Sequence, residues 1–292
     1  MKVAVLGAGY MGCGIAQVSA RGGHDVHLWD MTEELTQRGK ASIAKSLDGR
    51  IAKGKETEEN KAFLLARIFP TADLAGAVAD ADLILEAVVE DRSVKRELFA
   101  KVEGACPEGA FLASNTSSIP ITELAAGLER PERFLGMHFF GPVPAMKLLE
   151  IIRGGRTGDA AVELALKFAA SIGKTGVVCK KDTPGFIVNR INYAMRLEAY
   201  RCMHEGVASI EDIDTAMRLG LNHPMGPFEL NDMAGLDVGL AGLRTMYERT
   251  GEERWCPPPE VLRRVEAGEL GRKSGRGWYD YSTGEKKARP EF

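Results

Sequence analysis

Short apolar runs alternate with longer amphipathic segments along the amino-terminal half of the chain. Seven runs have the length and apolar character of buried strands: residues 3–6, 24–29, 83–89, 111–114, 134–139, 146–152 and 176–179. Helical spacing of apolar residues occurs in three longer segments between them: residues 11–21, 32–53 and 93–104. Because strands that alternate with helices form βαβ units, the pattern predicts an α/β fold with a mainly parallel sheet.

The pattern changes character near residue 182. A polar N-cap precedes Pro184, which fits the first turn of a helix, and this helix is expected to run to about residue 207. A cluster of helix breakers at residues 222–227 precedes another expected helix, and no strong strand pattern returns. We therefore predict an α/β domain over residues 1–181 and an all-α domain over residues 182–292.

A glycine-rich turn directly follows the first predicted strand. Gly7, Gly9 and Gly12 match the pattern G-x-G-x-x-G between a strand and a helix, the context in which this motif binds a dinucleotide. The first glycine permits the tight turn, the second lets the backbone approach a pyrophosphate, and the third allows close packing of helix on strand. The motif predicts a Rossmann-type, doubly wound domain, and we expect Tyr10 and Met11 within it to contact the cofactor as well.

Asp30 ends the second predicted strand, 18 residues after Gly12. This spacing is close to the roughly 20 residues expected for the acid that receives the ribose hydroxyls of a dinucleotide. A carboxylate there would repel the additional phosphate of NADP, so NAD is the predicted cofactor. The alternative is a glycine-rich turn with an acidic residue nearby by chance.

His138 lies at the carboxyl end of the fifth predicted strand, the edge at which parallel sheets bind ligands. Glu150 follows in an otherwise apolar strand, where an unpaired carboxylate would be unfavourable. A His–Glu pair would explain both residues, since the carboxylate orients the imidazole and stabilises its protonated form. Such a pair is a general acid/base suited to alcohol oxidation, although spacing alone also allows a purely structural histidine.

An ordered set of motifs resembles the L-3-hydroxyacyl-CoA dehydrogenase family, most closely its short bacterial 3-hydroxybutyryl-CoA type. The motifs run nearly from end to end: residues 7–12, 86–90, 114–118, 138–150, 182–190, 224–230 and 271–279. The resemblance implies hydride transfer between NAD and C3 of an (S)-3-hydroxyacyl-CoA, with a short acyl chain. It also implies a homodimer formed through the helical domain, and we expect residues 271–281 to form a turn with an aromatic anchor.

The resemblance implies individual roles for several residues. His138 is the expected acid/base and Glu150 its partner, while the Ser117 hydroxyl and the Asn189 amide are expected to contact the substrate at its 3-oxygen. Cofactor contacts are expected at further positions: Glu90, Lys95, Asn115 and Ser117. Contacts to the CoA portion are expected at Ser46 and Lys53, the lysine being a suitable partner for phosphates.

The chain departs from the family at Gly141, which stands where the family has asparagine in His-Phe-Phe-Asn-Pro. That asparagine matches a cofactor-contacting position, so we expect one polar contact to be absent. The departure bears on cofactor affinity and acyl preference rather than on the reaction class.

One alternative is a dehydrogenase of the same scaffold for another substrate, such as a carrier-protein-bound hydroxyacyl group, a sugar acid or carnitine. A non-catalytic nucleotide-binding protein is disfavoured, because His138, Glu150, Ser117 and Asn189 are all present.

Composition and charge exclude several other classes. With 45% hydrophobic and 27% charged residues, the 292-residue chain has the composition of a globular protein, and its net charge of −3 makes nucleic acid an unsuitable partner. The five cysteines are scattered without a Cys-x-x-Cys, which indicates reduced thiols in the cytoplasm rather than disulfides or a metal site. Glycines interrupt the apolar first twenty residues, so we expect neither a signal peptide nor a membrane span.

Overall fold

Eight strands form one sheet within residues 1–183, in the order β3-β2-β1-β4-β5-β6-β7-β8. The structure is a computed structural model that describes residues 1–283 and 286–289. The strands are β1 (Lys2–Leu6), β2 (Asp25–Trp29), β3 (Ile68–Thr71), β4 (Leu83–Glu86), β5 (Phe111–Ser114), β6 (Phe134–Phe139), β7 (Leu148–Ile152) and β8 (Thr175–Cys179). Neighbouring strands are parallel except β6 and β7, which are antiparallel. This confirms the predicted doubly wound, mainly parallel sheet.

Helices connect the strands of this first unit. They are α1 (Tyr10–Arg21), α2 (Glu33–Ile51), α3 (Glu58–Ala66), α4 (Leu74–Val78), α5 (Arg92–Ala105), α6 (Ile121–Ala125) and α7 (Asp159–Ser171), with a 3₁₀ turn at Pro131–Arg133. Side-chain caps explain where three of them begin: the Thr32 hydroxyl accepts from the N–H of Leu35, the Thr57 hydroxyl from that of Asn60, and the Asp91 carboxylate from that of Val94. Each cap satisfies a backbone donor that the first helical turn leaves unpaired.

The second unit spans Pro184–Phe292 and is mainly helical. Its helices are α8 (Val188–His204), α9 (Ile210–Gly220), α10 (Pro227–Ala234), α11 (Leu236–Thr250) and α12 (Pro259–Glu266), with 3₁₀ turns at Glu253–Trp255 and Arg272–Ser274. The boundary between the two units falls between Thr183 and Pro184, two residues after the predicted boundary. Within the described ranges, no helix has the length and apolar character needed to cross a membrane.

The structure differs from the local predictions at several points, and the strand predicted over residues 83–89 ends at Glu86. Strand β3 was not predicted because it is short, lies at the edge of the sheet and contains Pro70, which an edge position tolerates. Helix α8 begins at Val188 rather than near Pro184, because Gly185 (φ 75°) and Phe186 (φ 48°) adopt left-handed backbone angles that a helix cannot contain. A short antiparallel pair also follows the helices, formed by β9 (Tyr279–Asp280) and β10 (Lys287–Ala288).

Two buried carboxylates hold the carboxyl-terminal aromatic residues in the helical unit. Asp214 accepts from the N–H of Phe228 at 2.9 Å and from the Tyr279 hydroxyl at 2.7 Å. Asp232 accepts from the N–H groups of Trp278 and Tyr279, both at 2.9 Å. Trp278 and Tyr279 are buried in the hydrophobic core of this unit. This part of the chain is therefore the aromatic anchor that the sequence predicts.

Candidate active site

The turn between β1 and α1 brings backbone groups to the carboxyl edge of the sheet. Gly7 has a φ of 109°, and its N–H donates to the carbonyl oxygen of Trp29 at 2.8 Å. A Cβ atom on Gly12 would lie 1.7 Å from the Gly7 oxygen, whereas one on Gly9 would meet no atom within 4 Å. The turn is therefore closed between Gly7 and Gly12 and open at Gly9, which is the geometry a dinucleotide pyrophosphate requires.

Asp30 stands beside this turn with both carboxylate oxygens engaged by the backbone. Oδ2 accepts from the N–H of Ala8 at 2.8 Å, and Oδ1 accepts from the N–H of Met31 at 2.7 Å. The residue lines a cleft of about 520 Å³ together with Gly7 and Gly9. The opposite wall of the cleft comes from the loop after β4 and from α5: Ala87, Val88, Val89, Val94 and Leu98. Glu97 and Lys101 also line the cleft. Largely apolar walls, with the Asp30 carboxylate beside the glycine turn, fit a bound nucleoside.

His138 and Glu150 lie directly opposite each other on the antiparallel strands β6 and β7. His138 Nδ1 is 2.8 Å from Glu150 Oε2, and both residues are buried. A carboxylate at this distance accepts a hydrogen bond from Nδ1–H, which favours the tautomer with its proton on Nδ1. The Phe140 ring, 4.5 Å away between centroids, packs on the imidazole. The imidazole is therefore held in a fixed orientation, as a general acid/base requires.

The loop after β5 approaches the end of β6 next to this pair. The Asn115 side-chain oxygen accepts from the N–H of Phe139 at 2.8 Å. Asn115, a predicted cofactor contact, therefore links the loop after β5 to the end of β6. Ser117 is exposed, and its N–H donates to Glu90 Oε1 at 3.0 Å. Because β5 and β6 are parallel, the loop places Ser117 at the same sheet edge as the end of β6.

An ion network joins this loop, through Glu90, to the buried side chains of Lys95 and Glu86. Lys95 Nζ lies 2.5 Å from Glu86 Oε1 and 3.2 Å from Glu90 Oε2, and the Ser114 hydroxyl donates to Glu86 Oε2 at 2.6 Å. Burial alone would raise the pKa of Glu90, but the Lys95 ammonium and the Thr116 hydroxyl hold it below its usual range. An ionised Glu90 is thus available to accept the hydrogen bonds of the Ser117 loop.

The sequence did not identify all members of this network. Glu86, Thr116 and Ser118 were not predicted as site residues, although the Thr116 and Ser118 hydroxyls donate to Glu90 Oε1 at 2.5 and 2.9 Å. A signal for Glu86 existed, because it is a carboxylate in an otherwise apolar strand, as Glu150 is. The hydroxyls gave no such signal, since serine and threonine are common in any loop.

Other predicted site residues lie in different surroundings. Tyr10 and Ser46 line a second cavity of about 260 Å³, while Met11 packs against the hydrophobic core of the first unit. Lys53 follows the end of α2 and is exposed. Asn189 lies in the first turn of α8, in the helical unit. Their expected roles in cofactor and substrate binding remain predictions.

Comparison with known proteins yields two family models that match the chain one after the other. The first, described as 3-hydroxyacyl-CoA dehydrogenase, NAD binding domain, matches residues 2–183. The second, described as 3-hydroxyacyl-CoA dehydrogenase, C-terminal domain, matches residues 185–281. Together they cover both structural units.

Individual relatives agree with the models. A probable 3-hydroxybutyryl-CoA dehydrogenase of Deinococcus radiodurans is 47% identical over 281 residues, which are 96% of this chain and 100% of the relative. A 3-hydroxybutyryl-CoA dehydrogenase of Bradyrhizobium diazoefficiens is 46% identical, over 96% of this chain and 95% of its own. The crystal structure of an (S)-3-hydroxybutyryl-CoA dehydrogenase from Ralstonia eutropha superposes with a TM-score of 0.90 at 43% identity, covering 96% of this chain and 99% of that one.

The doubly wound sheet, the glycine turn and the matched nucleotide-binding domain define the class of the protein, an NAD-dependent dehydrogenase. Within that class, the chain belongs to the 3-hydroxyacyl-CoA dehydrogenase family, because models of both family domains match it almost end to end.

Proposed function

We propose that the protein interconverts (S)-3-hydroxyacyl-CoA and 3-oxoacyl-CoA, with 3-hydroxybutyryl-CoA as its short-chain substrate. The observation that carries this proposal is the His138–Glu150 pair, with Nδ1 and Oε2 2.8 Å apart at the end of β6. Relatives named as 3-hydroxybutyryl-CoA dehydrogenases over 96% of the chain support the choice of substrate.

Each residue of the site has a defined task in this reaction. When bound, NAD supplies the hydride acceptor. His138 Nε2 takes the proton of the 3-hydroxyl in the oxidative direction and returns it in reduction, while Glu150 stabilises the imidazolium. The Ser117 hydroxyl donates a hydrogen bond to the 3-oxygen as negative charge develops there. Asn189 keeps its proposed role as a second donor to this oxygen on the strength of the family resemblance alone.

The proposed reaction can be tested by the loss of NADH absorbance when acetoacetyl-CoA meets the purified protein. We expect rapid oxidation of NADH and little oxidation of NADPH, because the Asp30 carboxylate would repel a 2′-phosphate. Tight NADH binding without turnover would contradict the acyl substrate while leaving the cofactor assignment intact. Carrier-protein-bound and non-thioester substrates would then be assayed in the same way.

Replacement of Asp30 by alanine tests its proposed contact with the ribose. We expect the Kd for NADH to rise about 10-fold or more, since a hydrogen bond to a charged group contributes about 1.5–3 kcal/mol. The preference for NADH over NADPH should shrink at the same time. Fluorescence titration with both cofactors measures both effects. The control is Asp25→Asn, at the other end of β2. Unchanged NADH affinity in Asp30→Ala would contradict the role.

We further propose that the protein is a cytoplasmic homodimer. Large apolar side chains are exposed on the helical unit, including Ile191, Val207, Leu219 and Leu221. Burial of such side chains against a second copy would be favourable, which agrees with the dimer that the family resemblance implies. All five cysteines are unpaired, as expected in a reducing compartment.

A further inference from the structure

A second cavity adjoins α1, α2 and the loop that follows β6. It has a volume of about 260 Å³, and its polar lining consists of neutral side chains: Tyr10, Cys13, Gln17, Ser42 and Ser46. Pro142, Val143 and Pro144 of the loop form its other wall. None of the described residues that line it carries a formal charge. A cavity of hydroxyl and amide groups suits a neutral chain that contains amides, whereas phosphates require cationic or backbone N–H partners.

The loop after β6 rests directly on α1. A Cβ atom on Gly14 would lie 2.7 Å from the Cβ of Val143, so this glycine lets the loop approach the helix closely. Tyr10 stands four residues earlier, on the same face of α1. Its ring is thereby brought against Gly141, at the start of the same loop.

The contact between Tyr10 and Gly141 explains the glycine at this position. The φ angle of Gly141 is not positive, so its backbone does not require glycine. A Cβ at this position would lie 3.0 Å from Tyr10 Cε1 and 3.3 Å from the Tyr10 hydroxyl oxygen. The phenol therefore lies in tight contact with the place that a side chain at position 141 would occupy. An asparagine, as in the family pattern, would require the Tyr10 ring to shift.

We propose that Tyr10 is a specificity-determining residue for the arm that carries the acyl thioester, and that Gly141 makes room for it. The inference rests on the proposed function and extends it to the amide-bearing pantetheine chain, which CoA and carrier proteins share. Tyr10 is 70% exposed and shares its cavity with Ser46, the residue expected to contact CoA, whereas the cleft at Asp30 is a separate one. Its phenol hydroxyl forms a hydrogen bond with the arm, instead of the cofactor contact predicted from the glycine motif.

Steady-state kinetics of the Tyr10→Phe variant test the proposed hydrogen bond between the Tyr10 hydroxyl and the arm. The substrates are acetoacetyl-CoA and acetoacetyl-pantetheine. We expect KM to rise about five-fold for both thioesters, as the loss of one neutral hydrogen bond predicts, while kcat and the KM for NADH stay unchanged. Tyr247→Phe, an exposed tyrosine on α11, is the control. A rise in the KM for NADH alone, or no change for either thioester, would overturn the proposal. An effect with CoA but not with pantetheine would also overturn it, by placing Tyr10 at the nucleotide.

A double-mutant cycle tests the pairing with Gly141. Gly141→Asn should raise the thioester KM several-fold when Tyr10 is present and have a much smaller effect in a Tyr10→Ala background. Equal effects in both backgrounds would contradict the pairing.

If the wild-type protein does not turn over acetoacetyl-CoA, the proposed function fails on its own. Calorimetric titration of wild type and Tyr10→Phe with acetoacetyl-pantetheine then decides the inference separately, and equal affinities would overturn it.

Discussion

Replacement of His138 by glutamine is expected to lower kcat by about 10³- to 10⁴-fold, the upper range for the loss of a general acid/base. Glutamine has a similar reach but cannot exchange a proton at neutral pH. The Kd for NADH should remain within about two-fold, because the cleft beside Asp30 is formed by other residues. Reduction of acetoacetyl-CoA and fluorescence titration with NADH measure the two quantities.

A matched control exists elsewhere in the chain. His204 also lies near a carboxylate, with Nδ1 3.3 Å from Glu260 Oε1, but on the exposed surface of α8. His204→Gln is expected to leave kcat unchanged. If His138→Gln retained near-normal kcat, the proposed mechanism would be wrong. Equal melting temperatures of the variant and the wild type would exclude unfolding as the cause of lost activity.

Replacement of Glu150 by glutamine is expected to give the second largest effect, a fall in kcat of about 10²- to 10³-fold. The carboxylate is wholly buried and lies 2.8 Å from His138 Nδ1, where it holds the proton on that nitrogen. An amide can instead donate to Nδ1, which favours the tautomer with the wrong nitrogen protonated. The substitution also removes the negative charge that stabilises the imidazolium. The corresponding change from acid to amide in the serine protease triad lowers kcat about 10⁴-fold.

Kinetics of the Glu150→Gln variant distinguish orientation of the His138 imidazole from binding of the thioester. KM for the thioester should change little, because in the proposed mechanism Glu150 acts through His138 and not on the substrate itself. Glu198→Gln, which removes an exposed carboxylate on α8, should behave like the wild type. A loss confined to KM, with kcat preserved, would assign Glu150 a structural role only. Glu150→Asp, which retains the charge at a shorter reach, should recover part of the activity.

Local patterns predicted much of the fold because they record burial along a single strand or helix. Strands β5 and β6 have the predicted bounds, since each is a short apolar run with turn residues at its ends. The left-handed angles of Gly185 and Phe186 were not predicted, because a residue such as phenylalanine adopts them only where tertiary packing compensates for the strain.

The sequence by itself determined the glycine turn, the acid at residue 30 and the presence of a histidine and a glutamate on adjacent strands. Only the tertiary structure decided which groups meet. The β6–β7 register sets His138 opposite Glu150. Glu90 accepts a hydrogen bond from the N–H of Ser117, 27 residues further along the chain. The contact of Tyr10 with Gly141 likewise depends on how the loop after β6 packs on α1. The physical reason is that strand register and close packing join residues far apart in sequence, whereas hydrophobic periodicity reports only the face on which each residue lies.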